Sequence, residues 1–174
     1  ELPEEQKPRF KAIQEELASL SAKFSENVLD ATNAFAEYVT DEALLAGLPD
    51  DSIEAARDAA QRDDREGWKF TLHMPSYLPV MQYADNRDLR ARMYRAYATR
   101  ASEFGEAERD NTPLIARILA LRAEESKMLG FASFAELSLV PKMADTPEQV
   151  MDFLRDLAGR ARPHAQRDLD ELRA

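Results

Sequence analysis

The sequence contains no cysteine, only two histidines and only five glycines among its 174 residues. The missing cysteines exclude disulfide bonds, thiol nucleophiles and thiolate metal sites. The glycines stand apart, at positions 47, 67, 105, 130 and 159, so no glycine-rich loop can cradle a phosphate. No apolar run approaches the roughly 18 residues that a membrane-spanning helix requires. The opening residues ELPEEQKPRF lack the hydrophobic core of a signal peptide. Neither a membrane anchor nor a secretion signal is therefore expected.

The charge of the chain is strongly acidic. Acidic residues outnumber basic ones by 33 to 23, which gives a net charge of −10. Because phosphate contacts need a basic face, we expect no nucleic-acid partner and no anionic membrane partner. A hydrophobic content of 44% with 32% charged residues is typical of a globular protein. The length fits one domain or a part of a larger protein, and we expect a single helical region over residues 1–174.

Amphipathic helices account for most of the chain. A stripe of apolar residues three or four positions apart predicts a long first helix. The members of this stripe are Phe10, Ile13, Leu17, Leu20, Phe24, Val28, Ala31 and Phe35. A second, shorter helix is expected to be capped by Asp51 or Ser52 and to run to about Arg65.

The second half of the chain predicts four more helices. One resumes near Asn86, and another begins at Asn111-Thr-Pro113 and ends before Gly130, which is a good C-terminal cap. A short helix over Phe134–Leu139 follows. The last helix starts at Thr146, which has a capping-box partner in Gln149, and Pro163 is expected to kink or interrupt it. Its predicted buried stripe consists of Val150, Phe153, Leu154 and Leu157.

The stretch WKFTLHMPSYLPVM, residues 68–81, breaks the helical pattern. Trp68–Leu72 alternates apolar and polar side chains, which is the period of a half-buried strand. We predict that it pairs antiparallel with Phe35–Thr40. Because prolines disfavour helix in the preceding residue, Pro75 and Pro79 predict an extended corner at residues 76–78. The predicted fold class is therefore mainly α, a multi-helix domain of long amphipathic helices with one small antiparallel β ribbon.

No group of residues predicts catalysis. A catalytic zinc needs three protein ligands, whereas His73 and His164 are 91 positions apart and neither belongs to an H-E-x-x-H motif. The serines lack a neighbouring histidine and a glycine-rich elbow. Adjacent carboxylates such as Glu15-Glu16 are expected to be solvated on helix surfaces. We therefore assign no catalytic residue and no metal ligand to this sequence.

One polar region is less ordinary. Tyr77 and Tyr83 flank the proline-rich stretch, and a series of arginines follows it. These are Arg87, Arg90, Arg92, Arg95 and Arg100. They could face an acidic partner or a peptide carboxylate. The favoured interpretation is a helix surface with ion pairs, capped by Asn86, and no substrate-binding residue is assigned.

Several longer segments occur in an order typical of a known peptidase family. They are FSENVLDATNAF, LAGLP, GWKFTLHMPSYLPVMQYADNRDLRARMYRAYATRAS, DNTPLIARILALRAEESKMLGF and FAELSLVPKMADTPEQVMDFLRDLA, followed by the Pro163 region. Together they resemble the thimet oligopeptidase family of zinc metallopeptidases, and within it the oligopeptidase A branch. The resemblance covers essentially all 174 positions in order, so it is far more specific than one short motif.

The resemblance implies a cytoplasmic enzyme that cleaves short peptides in a deep channel between two largely helical halves. It also implies an H-E-x-x-H zinc motif, a further Glu ligand and downstream His and Tyr groups, all C-terminal to the matched region. None of these is present in this sequence, so no site residue is carried over. WKFTL is then expected to be a scaffold strand, and both ends of the sequence to be cut from a longer chain. The expected role is a non-catalytic helical section of a zinc-dependent oligopeptidase, which binds no zinc and hydrolyses no peptide by itself.

Two other roles stay open. The chain could be a stand-alone helical interaction module without enzymatic activity, or a protein that binds peptides without cleaving them. If it is a section of a larger enzyme, its partner is the rest of the same polypeptide. Apolar residues of the first and last helices should then form a large exposed patch, and the isolated chain is expected to self-associate.

Overall fold

The computed structural model describes residues 2–174, and these are mainly α-helical. The described residues form seven α-helices: α1, Lys7–Ala34; α2, Asp50–Gln61; α3, Met74–Tyr83; α4, Arg87–Ala98; α5, Thr112–Met128; α6, Phe134–Leu139; and α7, Pro147–Arg173. Two strands, β1 at Glu37–Val39 and β2 at Trp68–Phe70, pair antiparallel with Tyr38 opposite Lys69. Short 3-10 turns occupy Glu42–Leu45 and Ala107–Arg109. The predicted fold class is confirmed, and the strands pair as predicted but are shorter.

The described residues form two compact units. Residues Ala18–Arg117 make up the first, which we call the ribbon unit, and residues 2–17 with Ile118–Ala174 make up the second, the terminal-helix unit. The helices α1 and α5 each contribute residues to both. The single helical region expected over residues 1–174 stays a prediction. No helix of the described residues is both long enough and apolar enough to span a membrane.

The ribbon unit has a closed hydrophobic core. Strand β2 turns Trp68 and Phe70 inward while Lys69 stays partly exposed, as its alternating sequence predicts. Helix α4 contributes Leu89 and Met93, which lie four residues apart on its buried face. The remaining buried members of this core are Val39, Leu45, Leu48, Ala56, Leu72, Tyr77, Val80 and Ala84. An isolated two-stranded ribbon is marginal in water, so packing on these helices stabilises it.

Two glycines make close turns in the ribbon unit. Gly67 has a φ of +89°, and a Cβ atom there would lie 2.2 Å from the carbonyl oxygen of Val39. Gly47 has a φ of +87°, and its Cβ would lie 2.2 Å from the carbonyl oxygen of Tyr83. Only glycine fits both the backbone conformation and the close approach. These two turns therefore bring β2 next to β1 and the first 3-10 turn next to the end of α3.

The extended corner predicted at residues 76–78 is wrong, because this segment lies inside α3. Pro75 occupies the first turn of the helix, where a missing N–H has no intrahelical partner to lose. Pro79 does lie in the helix interior, where it removes one backbone hydrogen bond. Burial of Tyr77 and Val80 in the core offsets that cost. Tertiary packing overrides the local preference of the prolines here.

The boundaries of α2 also differ from the prediction. The helix begins at Asp50 after an extended Pro49, which has no side-chain cap, so neither Asp51 nor Ser52 is the cap residue. Asp50 and Asp51 instead lie in the first turn, where their negative charges interact favourably with the positive end of the helix dipole. The helix ends at Gln61 rather than near Arg65, because Asp64 adopts a φ of +55° in the turn toward β2.

The later helix starts agree with the sequence. The Asn86 side chain accepts a hydrogen bond from the amide of Leu89 at 2.8 Å, and Thr146 accepts one from Gln149 at 3.1 Å. Gly130 adopts a φ of +83° after α5. Helix α7 continues across Pro163 without interruption. Strong helix formers on both sides of the proline, such as Ala161 and Ala165, favour that continuity.

The terminal-helix unit leaves its longest helix uncovered. Ile13 and Leu121 are buried in this unit, but α7 has no buried residue. The stripe predicted to be buried on α7 is therefore wrong: Val150 is half-buried, whereas Phe153, Leu154 and Leu157 are exposed. The helix that packs most extensively against α7 is the six-residue α6, which is too short to cover it. Apolar exposure was predicted for this helix, and it is confirmed.

Candidate functional site

The two histidines do not form a metal site. His73 is exposed at the residue before α3, and His164 is exposed on α7, in a different unit. The His164 ring contacts the Arg167 guanidinium at 2.6 Å. Among residues 2–174, no group of three histidine, aspartate or glutamate side chains could hold a metal ion. The described residues therefore do not fit a zinc ion.

A concave surface of the ribbon unit lies between α2 and β2. Its volume is about 450 Å³, and most of its lining is apolar. Phe70 belongs to the buried core beneath it, and Ala55 and Ala59 line the α2 side. We call this surface the α2–β2 cleft. Its size falls within the range of about 300–1,000 Å³ that is typical of ligand pockets.

A cluster of three polar side chains lies at one end of the α2–β2 cleft. Both the Tyr38 hydroxyl and the Lys69 ammonium donate to Oδ2 of Asp63, each at 2.5 Å. The Arg65 guanidinium lies over the Tyr38 ring, 4.2 Å from its centre. These contacts connect β1, β2 and the turn that follows α2. The two strand residues face each other in the ribbon, and Asp63 accepts a hydrogen bond from each of them.

The contacts in this cluster shift three pKa values. Hydrogen bonds from Lys69 and then Tyr38 lower the pKa of the Asp63 carboxyl. The hydrogen bond to Asp63 is the main reason that the pKa of Tyr38 and the pKa of Lys69 are both raised. At neutral pH the carboxyl is thus ionised, the phenol neutral and the amine protonated. A general acid or base needs a pKa near the working pH, so this cluster is suited to structural support rather than to proton transfer.

The arginines singled out in the sequence mostly support the ribbon unit. Arg92 pairs with Glu37 of β1 at 2.7 Å, and Arg90 donates to the carbonyl oxygens of Ala84 and Asp85. Arg100 donates to the Thr32 hydroxyl at 2.9 Å. The favoured interpretation, helix-surface ion pairs with a capping Asn86, therefore holds for Arg92 and for the cap. Arg90 and Arg100 instead donate to backbone carbonyl and hydroxyl oxygens.

The tyrosines behave differently from one another. Tyr77 is buried and stacks on Tyr97, with ring centres 4.4 Å apart, and the Arg100 guanidinium lies 3.7 Å from the centre of the Tyr97 ring. Burial raises the pKa of Tyr77. Tyr83, in contrast, is exposed at the end of α3. The structure therefore does not bring Tyr77 and Tyr83 into one site.

One face of α7 forms an exposed apolar surface of the terminal-helix unit. We call this surface the α7 face. Its large members are all exposed, apart from the half-buried Val150: Val150, Phe153, Leu154, Leu157, Leu169 and Leu172. Val140 and Met143 precede this helix and are also exposed. Exposed patches of this kind mark interaction surfaces more often than chance.

Comparison with known proteins assigns the family. The model of "Peptidase family M3" matches residues 80–174, which is more than half of the chain. The chain belongs to peptidase family M3. Within this M3 chain the match begins inside α3, and it includes α4, α5, α6 and all of α7.

Individual relatives match almost the whole chain. Oligopeptidase A of Salmonella typhimurium is 49% identical over 175 residues, which cover 99% of this chain and 26% of the relative. Oligopeptidase A of Escherichia coli is also 49% identical, with the same coverage. The chloroplastic and mitochondrial oligopeptidase A of Arabidopsis thaliana is 42% identical, covering 99% of this chain and 22% of the relative. The M3 chain thus spans about a quarter of the length of the relatives it matches.

The Asp63 cluster was not identified from the sequence of this M3 chain. The predicted pairing places Tyr38 and Lys69 close together, but the predicted end of α2 near Arg65 put Asp63 inside a helix. Only the earlier helix end and the left-handed Asp64 turn the carboxyl toward the ribbon. The α2–β2 cleft was missed for a related reason. The signal available was the pair of small residues Ala55 and Ala59, four apart on one side of α2, which leave room beside a strand.

Proposed function

We propose that this chain is a non-catalytic helical section of a zinc-dependent oligopeptidase that hydrolyses short peptides in an enclosed channel in the cytoplasm. In this proposal the zinc ligands and the reactive groups come from other parts of the parent polypeptide. The ribbon unit and the terminal-helix unit then form part of the wall and support of the channel. The names of the relatives, which describe oligopeptidases, support the reaction class.

One observation carries the proposal: a chain of family M3 exposes most of the apolar face of a 27-residue helix. Burying one large apolar side chain is worth about 1.5–3 kcal/mol. Five such side chains of the α7 face are exposed. Covering them with a partner would therefore add a large stabilisation that the described residues do not supply. We assign the covering partner as the rest of the parent polypeptide, because the relatives are about four times as long as this chain.

The spacing of the α7 face favours packing on a globular body over pairing with a second copy. Apolar residues recur from Val150 through Leu154, Leu157, Ala161, Ala165 and Leu169 to Leu172. Their average step is about 3.7 residues, whereas a two-stranded left-handed coiled coil requires 3.5. The face therefore runs almost straight along the helix. A straight face of this length suits a groove between several helices better than a coiled-coil partner.

The non-catalytic role requires that the 174-residue chain bind no zinc ion of its own. The test is to measure zinc content and peptide hydrolysis for the 174-residue chain and for the product of its complete reading frame. We expect no stoichiometric zinc and no hydrolysis for the chain alone, and one zinc with hydrolysis of short peptides for the complete product. Tightly bound zinc in the chain alone would contradict the non-catalytic role.

The reading frame itself separates this proposal from a stand-alone module. We expect the frame to continue past Ala174 and to encode an H-E-x-x-H motif. A stop codon soon after Ala174 would contradict the proposal, and the exposed α7 face would then belong to a helical interaction module. Fractionation of cells that express the complete product tests the cytoplasmic location.

A further inference from the structure

The α2–β2 cleft has the features of a small binding site in the ribbon unit. Its apolar part consists of Phe70 beneath and Ala55 and Ala59 on the helix side. Because the alanines lie four residues apart, they occupy one side of α2, and their short side chains leave space where longer ones would fill the cleft. The two alanines therefore contribute to the space of the cleft, whose volume is about 450 Å³.

Hydrogen bonds hold the cleft in shape at both ends. At one end, Lys69 of β2 donates to Asp63 beyond α2 at 2.5 Å. At the other, the Thr71 amide donates to the Ser76 hydroxyl oxygen at 2.9 Å, which joins the end of β2 to α3. A ligand that enters therefore meets a surface whose backbone is already fixed. Preorganisation of this kind reduces the entropic cost of binding.

The charges at the cleft favour an anion. The Asp63 carboxylate is already engaged by Lys69 and Tyr38. Arg62 also lines the cleft, and no carboxylate of residues 2–174 is paired with its side chain. Of the arginine, aspartate and lysine side chains that line the cleft, Asp63 and Lys69 pair with each other, which leaves Arg62 available to an anion. An exposed guanidinium binds a carboxylate in a planar, two-point arrangement.

We propose that the α2–β2 cleft binds the C-terminal residue of a short peptide with an apolar side chain. The side chain lies against Phe70, Ala55 and Ala59, and the terminal carboxylate faces Arg62. A peptide as the source of this group rests on the proposed function. The preference for an apolar residue that bears a carboxylate rests only on the lining of the cleft. Because Arg62 is exposed and its ion pair is screened by water, we expect a dissociation constant on the order of 1 mM.

The test uses N-acetyl-leucine as the probe and the ¹⁵N-labelled 174-residue chain as the target. We expect saturable amide shifts at Ala59, Phe70 and Thr71 in a titration to the order of 10 mM. N-acetyl-leucinamide, which lacks the carboxylate, should bind about two- to fivefold more weakly, the range of one solvent-exposed ion pair. Equal binding of both probes would overturn the assignment of Arg62. The absence of any saturable shift would overturn the whole site.

Two variants and a control complete the test. Ala59→Leu should fill the cleft and abolish the shifts, and Arg62→Gln should weaken binding of N-acetyl-leucine to the level of the amide. Ala91→Leu, at an exposed position of α4 outside the cleft, should change neither. Unaltered binding by Ala59→Leu would place the probe elsewhere and overturn the site. The titration involves no zinc and no peptide hydrolysis, so its failure would leave the proposed function standing, and failure of the proposed function would not alter its result.

Discussion

The ribbon unit and α7 carry similar apolar patterns but differ in burial. In the ribbon unit, Leu89 and Met93 of α4 lie four residues apart and are both 0% exposed. On α7, Phe153 and Leu157 are 65% and 51% exposed, although they follow a helical spacing at least as regular. The pattern therefore identifies which face of a helix is apolar. It does not identify what covers that face, because the cover comes from residues elsewhere in a chain.

The difference has a structural cause. The ribbon unit closes on itself because two glycine turns bring separate segments together, and β2 then packs on α2 while α3 packs on α4. Within the terminal-helix unit, the six-residue α6 is the helix that packs most extensively on α7. No long helix of the described residues packs on α7 to the same extent. Stability in this molecule is therefore expected to reside mainly in the ribbon unit.

Replacement of one phenylalanine in each region should change the free energy of unfolding by very different amounts. Phe70→Ala removes a fully buried ring and should lower the free energy of unfolding by about 3–5 kcal/mol. Phe153→Ala removes an exposed ring and should change it by about 0.5 kcal/mol or less. Urea unfolding followed by far-UV circular dichroism measures both variants. Equal costs would mean that α7 is buried in the chain as it exists in solution.

Gly67 and Gly130 both adopt a left-handed backbone, but only Gly67 lies close to another backbone atom. Their alanine variants therefore distinguish the cost of backbone strain from the cost of a steric clash. Gly67→Ala places a Cβ atom 2.2 Å from a carbonyl oxygen and should cost about 3 kcal/mol or more. Gly130→Ala has a φ of +83° but no atom within 4 Å, so it should cost only about 1–2 kcal/mol. Trp68 is the only tryptophan and is buried beside Gly67, so its fluorescence reports unfolding of the ribbon unit. If both variants lose the same free energy of unfolding, the close approach of Gly67 to Val39 does not contribute to stability.

Asn111 should be a polar support of the ribbon unit. Its side chain accepts a hydrogen bond from Asn27 at 2.9 Å and donates one to the carbonyl of Phe24 at 3.1 Å, and both asparagines are buried. Asn111→Ala leaves buried polar partners unsatisfied and should cost about 1–3 kcal/mol. The control is Asn33→Ala at an exposed position. A result within error of the control would show that solvent reaches this pair.

The Asp63 cluster predicts a pH dependence of stability in the ribbon unit. The folded pKa of Asp63 lies below its ordinary value of 3.8. Its contribution is thus present above pH 3.8 and is lost as the pH falls through the folded pKa. The pKa values of Tyr38 and Lys69 are raised from 10.0 and 10.5, so their contributions are present below those values and are lost as the pH rises through the folded values.

The measurement for this cluster is urea unfolding by Trp68 fluorescence as a function of pH. Asp63→Asn should flatten the loss of stability on the acid side. Asp64→Asn is the matched control, because Asp64 is the next residue, is exposed and adopts a left-handed backbone that asparagine tolerates. If both variants retain the same acid profile as the parent sequence, the cluster does not couple to folding.

Much of the fold follows from local sequence signals. The side chains of Asn86 and Thr146 cap the starts of their helices, and Gly130 adopts the left-handed backbone expected after α5. The alternation of apolar and polar residues in WKF identifies β2. The errors arise where distant packing decides. Pro79 is tolerated in α3 because Tyr77 and Val80 bury against other elements, and the Asp63 cluster depends on the turn after α2. No short motif encodes either arrangement.

The central claim is that the rest of a longer M3 polypeptide covers the α7 face. Since the chain has no cysteine, Leu157→Cys and Asp156→Cys introduce single thiols on the apolar face and on the polar side of α7. The measurement compares the alkylation rates of these two variants in the 174-residue chain and in an otherwise cysteine-free product of the complete reading frame. The account predicts fast labelling of both variants in the chain alone. In the complete product, only the Leu157→Cys variant should react more slowly, by at least about tenfold, which corresponds to protection of about 1.4 kcal/mol. Equal labelling rates for the Leu157→Cys variant in the two proteins would contradict the account.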